Sequence, residues 1–510
     1  MAYRIHKSIL ISILFLFLYS SYAQVNTKAI DKYIEKARMD WNVPGMAVAI
    51  VKDGEVVLSQ GYGVKELGKQ DKVDENTQFA IASNSKAFVA SCLSRLVEDG
   101  KIAWKDKVQD YLPYFLLYGD ERISSMVTIE DLLCHRVGLG TFSGDVIWYK
   151  SDKSAEEIIK RAGSVPQAFE FRDGYGYSNL MFITAGEVIR VVTGDPWEEF
   201  VKANFLDPLL MRNTVISVKD LNENAATPHK PTLDRGTVPS VWANWDNSSA
   251  AGGIISSVSD MSKWMMMNLN EGEWGGRRYL EKEQQNLLWT PHVSYKLSEG
   301  SKEALPGRHF SGYGLGWGLM DYYGNLVVSH GGGYDGMYSR VVMVPDIKLG
   351  VVVLTNSMEG ISSPLATYII NQYLGKDMRD WSGEYLERAR SNTGHKDDIE
   401  ERVSARIQGT APSLDRSSIV GTYYDAMYGE ITVREESGKL LIGFEDAPAL
   451  NATLTHWHYD TYEIIWEEEH AWFDFGTLAF VKDNNNKVKG LEFDVPNYDI
   501  FFHELHPVKR

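Results

Sequence analysis

The sequence predicts an α+β protein: one antiparallel sheet flanked by helices, with a long helical insert, followed by a small all-β barrel. Three observations carry this reading. Strand-like runs occur near the start, at residues 45–64, and return at residues 313–356, with mostly helical patterning between them. After Gly375 the chain turns charged through residue 413. From Ile419 onward, short strand-like runs alternate with turn signals, which is the spacing of a barrel or sandwich.

Taken in order, the chain opens with Arg4 and Lys7, an apolar run from Ile9 to Leu18, and small residues ending in Ser21-Tyr22-Ala23. That is the pattern of a secretory leader over residues 1–23, and it predicts an exported, periplasmic or secreted protein. No cysteine stands at the cleavage point, so no stable membrane anchor is expected. A helical stripe of Ile30, Tyr33, Ile34, Ala37 and Trp41 stops before Pro44. Two strands then meet at a tight Asp53-Gly54 turn. A helix is expected from near Ser83 to about Glu98, and Thr128/Asp131 and Ser257/Asp260 have capping spacing at two further helix starts. The expected organisation is a first domain over 24–375, a charged linker over 376–413, and the barrel over 414–510. The linker suggests that the barrel folds on its own and is dispensable for chemistry in the first domain.

The formal net charge of −17 disfavours nucleic acid and anionic membranes as partners. Cys92 and Cys134 both sit in apolar segments; buried free thiols are the plain reading, and one bridge between them the alternative. His456 and His458 lie two apart on an expected strand, as metal ligands can, but no third ligand is evident. Zinc-protease and phosphate-loop motifs are absent, so neither metal nor cofactor is expected.

Three stretches can carry chemistry. In "IASNSKAFVASCLSRL", Ser83 precedes Lys86 by three positions at a helix start, so both share one face. A lysine near its ordinary pKa of about 10.4 is a poor base at neutral pH, and burial or a cationic neighbour must lower it. In "DGYGYSNLMFI", Tyr177 and Asn179 stand just before another apolar helix, where a phenol can pass protons and an amide can orient a lysine. In "VVSHGGGYDGMYSR", a strand runs into His330, Gly331, Gly332 and Gly333, whose bare backbone lets a substrate lie along the edge. An HGGG run also occurs in α/β-hydrolases, but those need a G-x-S-x-G elbow that this chain lacks.

These three motifs, in this order, resemble the serine β-lactamase and penicillin-binding-protein superfamily, and within it the class C β-lactamases with their esterase and D-aminopeptidase relatives. "TIEDLLCHRVGL", "FLDPLLMRNT", "AAGGIISSVSDMSKW" and "YGLGW" match too, so the resemblance spans residues 30 to about 375. Residues 414–510 look like the lipocalin-like barrel often fused to such enzymes. The resemblance implies a β-lactamase-like sheet and a serine hydrolase acting through an acyl-enzyme. It implies Ser83 as nucleophile, Lys86 as its activating partner, Tyr177 as second general base, and Asn179 as the group positioning Lys86 and substrate. His330 stands where such β-lactamases carry a lysine, and Gly331 where they carry a threonine. The oxyanion hole would be the backbone N–H groups of Ser83 and Gly333, beside Gly332.

Without that lysine and threonine, an esterase or D-amino-acid peptidase or amidase is favoured, taking a small-molecule ester, amide or peptide. Open alternatives are transfer of the acyl group to a hydroxyl, a β-lactamase or D-alanyl carboxypeptidase, and a non-catalytic binding or sensor module. An unperturbed His330 would gain charge toward pH 6, so any activity on carboxylate-bearing β-lactams is expected to improve there.

Overall fold

The structure is a computed structural model and describes residues 25–232, 235–376 and 379–510; the expected leader at 1–23 lies outside the described residues. Helix α1 (Thr27–Asp40) leads into strands β1 (Gly45–Lys52) and β2 (Glu55–Gly63). Asp53 and Gly54 both take positive φ, 54° and 82°, as a two-residue turn matched to strand twist requires. The sheet is completed by β3 (Val293–Ser294), β4 (Ser311–Tyr313), β5 (Gly318–Tyr322), β6 (Asn325–Tyr334), β7 (Met337–Val344) and β8 (Leu349–Thr355). Its order is β2-β1-β8-β7-β6-β5-β4-β3, antiparallel throughout. The two ends of the first domain thus meet at the β1–β8 pair, as the sequence predicts.

Both faces of this sheet are covered, which explains why β8 is buried at all seven positions instead of alternating. Ala47, Ala49 and Val51 face one core, built with helices α2 (Ser85–Glu98), α3 (Ile129–Leu133), α4 (Asn179–Thr193) and α5 (Val258–Leu269). Met46, Val48 and Ile50 face a second core with α1 and α6 (Ser362–Leu374). Phe88 of α2 stacks on Trp264 of α5 at 3.8 Å. Thr128 and Asp131 close the expected capping box on α3. The Ser257 hydroxyl accepts from the Asp260 N–H at the start of α5. Cys92 and Cys134 are both free and buried.

The charged connector is mostly helical: α7 (Trp381–Ser391) and α8 (Gly394–Ser404). Helix α7 docks on the outer core, burying Trp381 to 1% exposure, and the Trp41 indole N–H donates to Ser382 Oγ at 2.9 Å. Beyond it, β9 (Gly421–Asp425), β10 (Gly429–Glu436), β11 (Lys439–Phe444), β12 (Ala452–His458), β13 (Thr461–Trp466), β14 (Thr477–Lys482), β15 (Val488–Asp494) and β16 (Val508–Lys509) form a closed barrel. His456 and His458 straddle a register shift on β12. His456 Nε2 donates to the Tyr459 carbonyl and His458 Nδ1 accepts from the Ile407 N–H, so backbone groups occupy both rings. Among the described residues no cluster of three metal-ligating side chains occurs, and no helix is long and apolar enough to cross a membrane.

The barrel does not stand apart from the first domain. Buried Lys153 donates to the Glu445 carbonyl at 2.9 Å, and buried Lys230 to the His470 carbonyl at 3.0 Å. Glu504 accepts from Ser143 Oγ at 2.5 Å and from the Gly144 N–H at 2.7 Å. Helix α7 is the strap that leads into this arrangement, and Trp381 is its main apolar anchor. Trp381→Ala is expected to destabilise the protein by about 3–5 kcal/mol, with Trp381→Phe retaining most of the stability. Denaturant unfolding of both variants checks this; equal stability of Trp381→Ala and wild type would show that Trp381 does not anchor the strap.

Candidate active site

Ser83 lies not in α2 itself but in a single 3-10 turn, Ala82–Asn84, that leads into it. Ala82 holds φ +47°, a left-handed conformation that costs a non-glycine residue roughly 1–3 kcal/mol and is tolerated where the surroundings enforce it. Asn84 Nδ2 and Ser339 Oγ both donate to the Ile81 carbonyl, and Asn84 also donates to Ser339 at 2.8 Å. Gly332 makes this close approach possible. A Cβ there would sit 2.2 Å from the Ile81 carbonyl oxygen, so any side chain would push the turn off β6.

Lys86 is completely buried. Its Nζ lies 3.0 Å from Ser83 Oγ, 2.7 Å from Asn179 Oδ1 and 2.7 Å from the Ala251 carbonyl oxygen. Burial brings its pKa down to about 7, against a counter-pull from the Asp145 carboxylate. A neutral amine has two N–H groups and one lone pair. With the two oxygens of Asn179 and Ala251 taking the hydrogens, the lone pair is left for Ser83. This geometry leaves the lone pair of a neutral Lys86 aimed at one hydroxyl.

Asn179 is the first residue of α4, and its amide is held in turn. Nδ2 donates to Asp145 Oδ2 at 2.6 Å, and the Trp148 indole donates to Asp145 Oδ1 at 2.8 Å. Burial raises the Asp145 carboxyl to about 8, opposed by those two hydrogen bonds. Tyr177 is hydrogen-bonded to Ser83, and burial lifts its phenol well above the ordinary value. At rest the phenol therefore keeps its proton. Lys86 Nζ lies 4.8 Å from the centre of the Tyr177 ring.

A cavity of about 410 Å³ opens onto this group. Ser83, Tyr177, Asn179, His330, Gly331 and Gly333 line it, while Lys86 sits behind them and Gly332 faces the 3-10 turn. Strand β6 pairs with β5 only as far as Ser329 but with β7 as far as Tyr334. Residues 330–334 therefore present an edge without a strand partner on one side, as the glycine run suggests.

The structure corrects the reading of His330. The Gly331 carbonyl, 2.6 Å from Nδ1, requires a proton there, so Nε2 accepts from the Tyr313 hydroxyl at 2.8 Å. Burial lowers its pKa to about 3, and the charges of Lys86 and Arg340 push in the same direction. The ring stays neutral through pH 6 and has no free nitrogen for a substrate carboxylate. Positive charge comes instead from Arg340, which lies opposite Gly331 in register on β7, and from Arg308. Among the described residues, Arg340 Nη2 reaches only Ser329 Oγ, at 3.3 Å, and no carboxylate pairs with it.

Sequence reasoning also missed His135 and Asp145. His135 Nδ1 accepts the Ser178 N–H at 3.0 Å, and its ring stacks on Tyr177 at 4.2 Å between centroids, fixing the second motif. The histidine within "LLCHRVGL" was the only signal for it; nothing in the spacing marked Asp145. The barrel adds three further wall residues, Trp472, Asp499 and Ile500.

The Beta-lactamase family profile matches residues 30–373, and a second profile, described as a domain of unknown function, matches residues 405–508. The unguisins hydrolase ungD of Aspergillus violaceofuscus is 27% identical over 499 residues, covering 91% of this chain and 84% of that protein. The octameric penicillin-binding protein homologue from Pyrococcus abyssi superposes with a TM-score of 0.63 at 20% identity, covering 95% of this chain and all of that one. D-amino acid amidase from Ochrobactrum anthropi superposes with a TM-score of 0.54 at 22% identity, over 71% of this chain and 99% of that one. With a profile match across most of its length, the chain belongs to the Beta-lactamase family and carries the hydrolase fold of that family.

Proposed function

We propose that the protein is a serine hydrolase that cleaves an ester or amide through an acyl-enzyme on Ser83. The observation that carries this is the 3.0 Å contact between Ser83 Oγ and a buried Lys86 whose pKa lies near 7. Neutral Lys86 takes the Ser83 proton as Oγ adds to the carbonyl carbon. The negative charge that develops on the carbonyl oxygen is met by the N–H groups of Ser83 and Gly333, both on the cavity wall. Collapse expels the leaving group, which takes the proton of Tyr177 as Tyr177 takes the one held by Lys86, so that Lys86 is neutral again and Tyr177 is protonated. Water entering the same cavity adds to the acyl carbon and gives a proton to Lys86; collapse breaks the bond to Ser83 Oγ, which takes that proton back from Lys86, and releases the acid. Asn179 keeps the lysine lone pair on line in both halves.

Ser83→Ala is expected to lower turnover by roughly 10³-fold or more with the fold intact. Intact-mass spectrometry with a fluorophosphonate should give one adduct on the wild type and none on the variant. An adduct on another serine would displace Ser83 from its role.

The pH dependence follows from Lys86. The base form is the neutral amine, so kcat/KM for a neutral p-nitrophenyl ester should rise from pH 5.5 and level off past an inflection near 7. Since His330 does not titrate in this range, nitrocefin should show no added gain toward pH 6. A profile that peaks at pH 6 would mean that another group is the base.

A further inference from the structure

For Lys86 to take the Ser83 proton, its lone pair and not an N–H must face the hydroxyl. Lys86 Nζ lies against Ser83 Oγ, Asn179 Oδ1 and the Ala251 carbonyl, so a lone pair is left for Ser83 only while both other oxygens accept from it. A backbone carbonyl can only accept. An amide side chain can also donate: turned over, Asn179 would present its NH2 to Lys86 and claim the lone pair. The orientation of one amide therefore decides whether the lone pair is free.

Asp145 is what holds that amide. Its Oδ2 accepts from Asn179 Nδ2 at 2.6 Å and its Oδ1 from Trp148 Nε1 at 2.8 Å. An indole N–H is a donor only and an amide nitrogen does not accept, so both oxygens act as acceptors toward these neighbours whether or not the carboxyl holds a proton. Every donor in the chain then points toward Asp145: the Ser83 hydroxyl to Lys86, Lys86 to Asn179, Asn179 and Trp148 to Asp145. The support is rigid as well. Asp145 is buried, the Phe142 N–H donates to the Tyr177 carbonyl at 2.8 Å, and the Asp145 N–H donates to the Phe142 carbonyl at 3.1 Å. A Cβ on Gly144 would sit 2.6 Å from a Val165 methyl, so the residue before Asp145 has no room for a side chain. The other titratable groups around Lys86 are Tyr177, His135 and His330, all uncharged at neutral pH, and Asp499 is the further carboxylate that Asp145 senses.

We propose that Asp145 is a positioning residue whose two acceptor oxygens, one of them occupied by Trp148, set the direction of this hydrogen-bond chain and so keep the Lys86 lone pair on Ser83. The inference rests on the assignment of Ser83 as nucleophile and Lys86 as its base. It states what Asp145→Asn would do. The Trp148 N–H claims the one remaining oxygen at position 145, the new NH2 faces Asn179, and Asn179 turns its own NH2 onto Lys86. Loss of the charge alone acts the other way. The Asp145 carboxylate pulls the Lys86 pKa up, so removing it enlarges the neutral fraction of the amine below pH 7.

The test is kcat and KM for p-nitrophenyl acetate in Asp145→Asn, made in the wild type and in Trp148→Phe. In the wild-type background kcat should fall about 10-fold or more at both pH 6.5 and pH 8, with KM within about threefold. In the Trp148→Phe background the same change should cost less than about threefold, because without the indole N–H the amide can turn its oxygen to Asn179. Equal losses in the two backgrounds would overturn the proposal, as would an unchanged kcat in Asp145→Asn or a gain at pH 6.5. Thermal unfolding checks that each variant folds. If Trp148→Phe does not, neutron diffraction on crystals of Asp145→Asn reads the amide directly: Asn179 deuterons aimed at Lys86 Nζ are expected, and an unturned amide would overturn the proposal. Failure of the nucleophile assignment shows separately, as wild-type protein that neither hydrolyses p-nitrophenyl acetate nor takes up a fluorophosphonate.

Discussion

An ammonium group buried to zero exposure has two options: find enough acceptors to stay charged, or give up its proton. Lys86 is placed so that it can do either. Two neutral oxygens and one hydroxyl surround its nitrogen, and the Asp145 carboxylate stands one residue further away, behind Asn179. A carboxylate in direct contact would hold the lysine protonated, and a purely apolar site would leave it without orientation. The intermediate arrangement brings the pKa near neutrality while keeping the lone pair directed. Most of the surrounding structure serves this one nitrogen: the 3-10 turn sets Ser83, α4 sets Asn179, and the short helical turn of Ser249–Gly252 supplies the Ala251 carbonyl.

The parts of this site that could be read from sequence are those whose partners lie a few residues apart or recur as a motif. Ser83 and Lys86 are one helical turn apart; Tyr177 and Asn179 flank a helix start; the glycines after His330 mark an edge strand. The α1 stripe, the Asp53-Gly54 turn and the Thr128–Asp131 box were legible for the same reason, since short-range geometry decides each of them. The α2 start was misplaced by two residues because Ala82 takes a conformation that no local propensity favours. Tertiary context enforces it through Asn84, Ser339 and the room left by Gly332.

What the sequence hid is tertiary. His330 looks like a weaker substitute for a lysine, and only its two hydrogen bonds show that it is a neutral support for Tyr313. The charge expected at that position is displaced to the neighbouring strand, where Arg340 faces Gly331. A glycine at position 331 is what leaves space for that guanidinium: a Cβ there would come within 3.3 Å of Arg340 Nη1. The replacement of one residue type by another in the motif is therefore intelligible only with the pairing register in hand.

The same logic carries the barrel into the chemistry of the first domain. Glu504 holds Ser143 and the Gly144 N–H, and the next residue is Asp145, which orients Asn179 and through it Lys86. Gly144 takes φ +79°, so the backbone that aims Asp145 depends on a conformation which the barrel contact helps to hold. Four short polar contacts thus connect the C-terminal domain to the Lys86 nitrogen that meets Ser83. A barrel that only covered the cavity could tolerate small shifts against the first domain. One that fixes Ser143-Gly144-Asp145 cannot, because hydrogen bonds weaken steeply once their angles open. Buried Lys153 and Lys230, each locked onto a barrel carbonyl, supply the rigidity that this coupling demands.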